Sequence, residues 1–132
     1  MISSAPNLLL IQAARLGNQP KITAALERGA DVNATDAQGT SALMFSAQKG
    51  LQQIVSLLIA AGADVNLHRR QFGTTALMFA AAANRIAVVN QLLAQGVNVN
   101  AVNEDGSTAL MGATLAGAKV EWLTKQKCNI DL

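Results

Sequence analysis

Residues 39–66 read GTSALMFSAQKGLQQIVSLLIAAGADVN, and residues 73–100 read GTTALMFAAAANRIAVVNQLLAQGVNVN. The two stretches are the same sentence written twice. Ala-Leu-Met occurs at 42–44, 76–78 and 109–111, spacings of 34 and 33 residues. A second word, Gly-Ala-Asp-Val-Asn at 29–33 and 62–66, returns as Gly96-Val97-Asn98-Val99-Asn100 and more loosely as Lys127-Cys128-Asn129-Ile130-Asp131. The two words interleave in constant phase, which is the signature of a stacked repeat.

The glycines punctuate this period. Nine of the ten fall at three recurring places, and Gly112 alone lies off the grid. Gly39, Gly73 and Gly106 precede the Ala-Leu-Met segment. Gly17, Gly50 and Gly117 end it, with Asn84 in the equivalent place of the third unit, and Gly29, Gly62 and Gly96 end the segment that follows. Gly and Asn accept the left-handed backbone that closes a helix. Each unit therefore predicts two short helices and an extended turn. Ser41, Thr75 and Thr108 are placed as N-caps, with a hydroxyl able to accept a free first-turn amide. The second helices are clearest at 51–58 and 86–93, where apolar residues at helical spacing make a broad stripe. Helices this short are marginal alone in water, so each stripe must be buried on the adjacent unit.

Taken together, these words resemble the ankyrin repeat, a hairpin-like turn followed by two antiparallel helices. The resemblance is carried by Gly39-Thr40-Ser41-Ala42-Leu43-Met44-Phe45-Ser46-Ala47, then Gly50, Leu57-Leu58 and Gly62-Ala63-Asp64-Val65-Asn66. Tetratricopeptide repeats have a similar period, but their aromatic and proline positions are missing. The resemblance implies one all-α solenoid domain over residues 1–132, with helix pairs joined by β-hairpin-like turns. Its repeats are placed at 7–33 (an N-terminal cap without the Gly-Thr opening), 36–66, 70–100 and 103–132 (a C-terminal cap). The family's Thr-Pro-Leu-His is here Thr/Ser-Ala-Leu-Met. Ala in place of Pro loses a preset dihedral, and Met in place of His removes an imidazole that stitches neighbouring family repeats. The fourth unit is two residues short after Gly117, so its second helix, around 118–125, is expected to be truncated. Lys119, Glu121, Lys125 and Lys127 there suit a solvated end of the array.

Composition agrees with tightly stacked helices. The chain has 132 residues, of which 51% are apolar, 3% aromatic and 14% charged. That balance excludes a disordered chain and leaves too few rings for an RNA-stacking sheet. The longest aliphatic run, Leu8 to Ile11, is far short of the ~20 residues a membrane helix needs. The opening residues carry no basic region or cleavage site of a signal peptide, and they read as mature protein. The lone Cys128 suits a reducing compartment, and a cytoplasmic location is the expectation. One His and one Cys cannot assemble a metal set. The carboxylates lie singly in turns, where Asp and Asn bond nearby amides. No catalytic constellation is found, and no cofactor or metal is expected.

What remains is recognition by surface. The resemblance implies binding through turn tips and the exposed positions of the first helices. The tips are 35–38, 68–72 and 103–105, so Gln38, Arg69, Arg70, Gln71, Phe72, Glu104 and Asp105 become candidates. The middle tip is one residue longer than the others and replaces an acidic tip with two arginines, a histidine and a ring. Arg and aromatic residues are common interface anchors; the plainer reading is a solvated basic turn with Phe72 folded back. On the first helices, the residue after Met is Phe45, Phe79 and Gly112, with Gln12 in the first unit. In the family this position faces the groove, which would set Phe45 beside Phe79, extended by Ala82, Ala83 and Leu115, with Gln48 and Lys49 at the edge. Both rings would serve equally as core between helices. The function expected is non-catalytic: a monomeric interaction module taking one segment of an unidentified protein partner, with no nucleic acid and no membrane. The alternative is a self-associating structural repeat.

Overall fold

The caps read from the sequence are the points where the helices begin. In the computed structural model, which describes residues 5–109, α1 spans Ala5–Leu16, α2 Gln19–Glu27, α3 Ala42–Lys49, α4 Gln52–Ala60, α5 Ala76–Ala82 and α6 Ile86–Ala94. The Ser41 and Thr75 hydroxyls each accept the backbone N–H of Met44 and Met78, at 3.3 Å. Met44 returns the bond: its sulfur accepts from the Ser41 N–H at 3.4 Å, so a thioether closes a box that a carboxylate or amide usually closes. Asn18 caps α2 the same way, with Pro20 in its first turn.

All six helices end in one pattern. At the end of α3, Gly50 N–H donates to Ala47 O and Leu51 N–H to Ser46 O. The same pair of bonds closes α1 at Gly17 and Asn18, and α5 at Asn84 and Arg85. Second helices repeat it at Gly29, Gly62 and Gly96. This closure requires a left-handed residue just past the helix, and Asn84, at φ 59°, supplies it where the third unit has no glycine.

The buried positions of one unit map onto the next. Leu43, Met44, Ser46 and Ala47 of α3 are buried, as are their partners one repeat later, Leu77, Met78, Ala80 and Ala81 of α5. One repeat earlier, Leu10, Ile11, Ala13 and Ala14 of α1 fill the same register. On the second helices Ile54, Val55 and Leu58 correspond to Val88, Val89 and Leu92. Among the first helices α1 packs on α3 and α3 on α5, among the second helices α4 packs on α6, and each helix packs on its partner within the unit. One apolar layer thus runs through the array, and small side chains such as Ala47 and Ala80 let the helices come close. Among the described residues there are six helices and no strands, only an isolated antiparallel bridge between Thr35 and Ser41 at the first tip. The third Ala-Leu-Met beyond Ala109, Gly112, Gly117, Cys128 and the short helix expected around 118–125 lie outside the described residues.

Polar stitching between units comes from groups other than the missing imidazole. Asn33 Oδ1 accepts from the Asp64 N–H at 2.7 Å, and Asn66 Oδ1 from the Asn98 N–H at 2.8 Å. Asn7 opens the series by accepting from the Asp31 N–H. On the helical side, Arg85 Nε donates to Gln48 O at 3.0 Å, satisfying a carbonyl at the end of α3.

Candidate functional site

The tips and the first helices make one wall, and its geometry begins with the turns. Asp36 Oδ1 accepts the N–H groups of Gln38 and Thr40, and Asp36 N–H donates to Thr40 O. Asn103 does the same for Asp105 and Ser107 in the third tip. The middle tip has no Asx residue at this place. Arg69 stands there, its N–H reaches Thr74 O across the extra residue, and its side chain is freed for another task. Phe72 absorbs the insertion by taking φ 69°, a left-handed conformation uncommon for a ring-bearing residue. The tips are tied edge to edge: Gln71 N–H donates to Gln38 O, and Glu104 N–H to Phe72 O, both at 2.9 Å.

Two hollows lie along this wall. The smaller, about 280 Å³, is lined by Arg15, Asp36, Gln38, Thr40, Phe45, Gln48, Arg69 and Phe79. The larger, about 770 Å³, runs between the face of α1 and the first tip; Leu8, Ile11 and Gln12 form its helical side, and Arg70 reaches it from the middle tip. Arg15 and Asp36 belong to both. They form an ion pair at 3.5 Å, so the ridge between the hollows is a guanidinium held by one carboxylate. The same guanidinium carbon stands 5.3 Å from the centroid of the Phe45 ring, within cation–π range. Arg69 Nε donates to Thr40 Oγ1 at 2.7 Å, which fixes the second arginine across the hollow.

Phe45 and Phe79 divide themselves between the two roles open to them in the sequence. Each is half-buried, with part of the ring against the core and part on the small hollow. Five candidate residues come together there: Gln38, Phe45, Gln48, Arg69 and Phe79. Arg70 lies on the large hollow. Lys49, Gln71, Phe72, Ala82, Glu104 and Asp105 are exposed and Ala83 is half-buried, but none of these seven lines either hollow. Phe72 is not folded back: it is 54% exposed. Leu115 lies outside the described residues. Sequence reasoning passed over Arg15, Asp36 and Thr40 as lining groups. The repeat register carries the signal for Arg15, which stands 33 residues before Gln48, itself a candidate.

Comparison with known proteins agrees with this architecture. The model for ankyrin repeats (three copies) matches residues 6–69 and 62–132. The chain belongs to the ankyrin-repeat family. Ankyrin repeats generally serve as protein–protein interaction modules, and such domains are typically non-catalytic. The chain is also similar to the human mitochondrial disaggregase, 45% identical over 58 residues, which is 44% of this chain and 8% of that protein. The bovine mitochondrial disaggregase is 42% identical over 64 residues, 48% of this chain and 10% of that protein. The match thus spans about a tenth of the length of these relatives or less. Within the described ankyrin units, no three His, Cys, Asp or Glu side chains gather as a metal set, and no helix is long and apolar enough to cross a membrane.

Proposed function

We propose that this ankyrin domain is a monomeric, non-catalytic module that binds one extended segment of a protein partner along the wall of tips and first helices. The observation that carries the proposal is the small hollow, which two half-buried rings from successive units, Phe45 and Phe79, line together with two arginines, Arg15 stacked on Phe45 and Arg69 bonded to Thr40. Rings with a polar rim are the composition of interface anchors. The anchors sit on stacked helices and hydrogen-bonded turns, so little ordering cost opposes binding. The disaggregase activity named for the relatives does not enter this reading, because the shared region is a small part of those proteins.

Gln48 gives the test. Its side chain is exposed on the rim of the hollow, so Gln48→Trp should fill the space without disturbing the core. Partners captured from the native host by the unaltered chain should be lost with Gln48→Trp. They should be retained with Gln53→Trp, an exposed position on α4 away from the hollow. Equal capture by all three chains would refute the groove. A mass in solution that rises with concentration, and falls back with Gln48→Trp, would favour self-association instead.

A further inference from the structure

Three guanidinium groups and one carboxylate converge on the two hollows. Arg15 is shared by both, Arg69 lines the small one and Arg70 the large one, while Asp36 is the single acid among their lining residues. The arginines are not equally occupied. Arg15 is held by Asp36 at 3.5 Å. Arg69 uses Nε on Thr40. The Arg70 side chain is exposed and meets no carboxylate among the described residues. Its backbone, in contrast, is firmly placed: Arg70 crosses directly over Gly39, where a Cβ would stand 2.6 Å from the Arg70 Cβ. The neighbouring Gln71 N–H is tied to Gln38 O. The first tip therefore holds Arg70 at the mouth of the large hollow by a contact that only glycine permits.

Resting on the groove reading above, we infer that the partner segment is acidic: an Asp or Glu side chain seated at the Arg15–Asp36 ridge, with a large apolar side chain on each side of it. The flanking positions follow from the walls. On one side lie Leu8 and Ile11 of the large hollow, on the other Phe45 and Phe79 of the small one. The central position follows from charge. With three arginines against Asp36 alone, the ridge is under-neutralised, and a carboxylate from the partner completes it. Arg is well suited to this because its planar donors pair with a carboxylate through two parallel hydrogen bonds. Asp36 then acts as an internal competitor, occupying Arg15 while the groove is empty.

That competition can be altered without breaking the turn. Asn103, at the equivalent place in the third tip, accepts the same two backbone N–H groups through its Oδ1 that Asp36 accepts through its own. Asp36→Asn should thus keep the turn and remove the competing charge.

The experiment uses the full chain and a displayed library of random peptides. Peptides selected on the unaltered chain and lost with Gln48→Trp are expected to carry Asp or Glu beside aromatic or large aliphatic residues. Against these peptides Arg70→Gln should weaken binding about fivefold, and Asp36→Asn should tighten it by about threefold, the size of one exposed ion pair. Raising the salt concentration should weaken binding to the unaltered chain. Peptides that are sensitive to Gln48→Trp but carry no acidic residue, or ignore both Arg70→Gln and Asp36→Asn, would overturn the acidic partner and leave the groove standing. A selection yielding no peptide sensitive to Gln48→Trp would overturn the groove, and this inference with it.

Discussion

Gly39 carries no side chain where the backbone of Arg70 crosses it. A Cβ at residue 39 would lie 2.6 Å from the Arg70 Cβ, and the residue sits at φ 85°. Two separate costs meet there, a left-handed backbone and a close approach between tips. Gly62 isolates the first of them, because it has φ 95° with nothing within 4 Å of its Cβ position. Gly62→Ala should cost about 1 kcal/mol, the strain of an L-residue in the left-handed region. Gly39→Ala should cost about 3 kcal/mol, since the tips must also separate. Urea unfolding of both variants checks the order. Equal losses would mean that the contact between tips carries no energy.

The half-burial of Phe79 sets an intermediate expectation for its removal. A fully buried ring truncated to Ala costs about 3–5 kcal/mol, and a fully exposed one close to nothing. Phe79 has one side on the core and one on the hollow, so Phe79→Ala should cost about 2 kcal/mol. Leu77, on the same helix but 1% exposed, should cost more, about 3 kcal/mol, when changed to Ala. A loss for Phe79 as large as that for Leu77 would mean that the ring is core and has no surface to offer a partner.

Phe72 poses the opposite case. Its φ of 69° is strained for a residue with a Cβ, and the ring recovers little burial in return, being 54% exposed. Glycine at this position would relieve about 1–2 kcal/mol of left-handed strain. It would also add about 0.5–1 kcal/mol of chain entropy to the unfolded state. The first effect is larger, so Phe72→Gly should stabilise the domain by about 0.5–1 kcal/mol. A rise in the urea midpoint checks it. A fall would show that the ring is held by contacts worth more than the strain.

What the sequence made legible was the repeating framework within each unit. The period located the helices, the left-handed stops down to Asn84, the caps at Ser41 and Thr75, and the shared register of Phe45 and Phe79. What it concealed depends on the distance between units rather than on the pattern within one. Arg15 meets Phe45 and Asp36 from the preceding unit, Arg69 reaches Thr40 across 29 residues, and Arg85 reaches Gln48 across 37. Long side chains of this kind span the step between layers, and their partners are set by the rotation from one unit to the next. The extra residue in the middle tip was visible as a count. That Phe72 would take the left-handed conformation, immediately before a glycine that also takes it, follows only from how the turn closes on Thr74.

The asparagine series across the turns is the most direct test of the stacking itself. Asn33 and Asn66 each send a side-chain oxygen to a backbone N–H of the following unit, at Asp64 and Asn98, so the bond exists only when two units are docked. Removing the acceptor leaves an N–H near solvent, which water can partly satisfy, and the net loss is about 1 kcal/mol. Asn66→Ala should therefore lower stability by about 1 kcal/mol. Asn66→Asp keeps an oxygen in place and, at high salt, which screens the new charge from Asp64, should stay within about 0.5 kcal/mol of the original. Because units in such an array are held by nearest-neighbour contacts, Asn33→Ala with Asn66→Ala weakens two successive interfaces. The two losses should add, and hydrogen exchange should accelerate in the units on either side. If Asn66→Ala and Asn66→Asp prove equal, the oxygen is not what joins the layers, and the apolar stripe alone carries the stack.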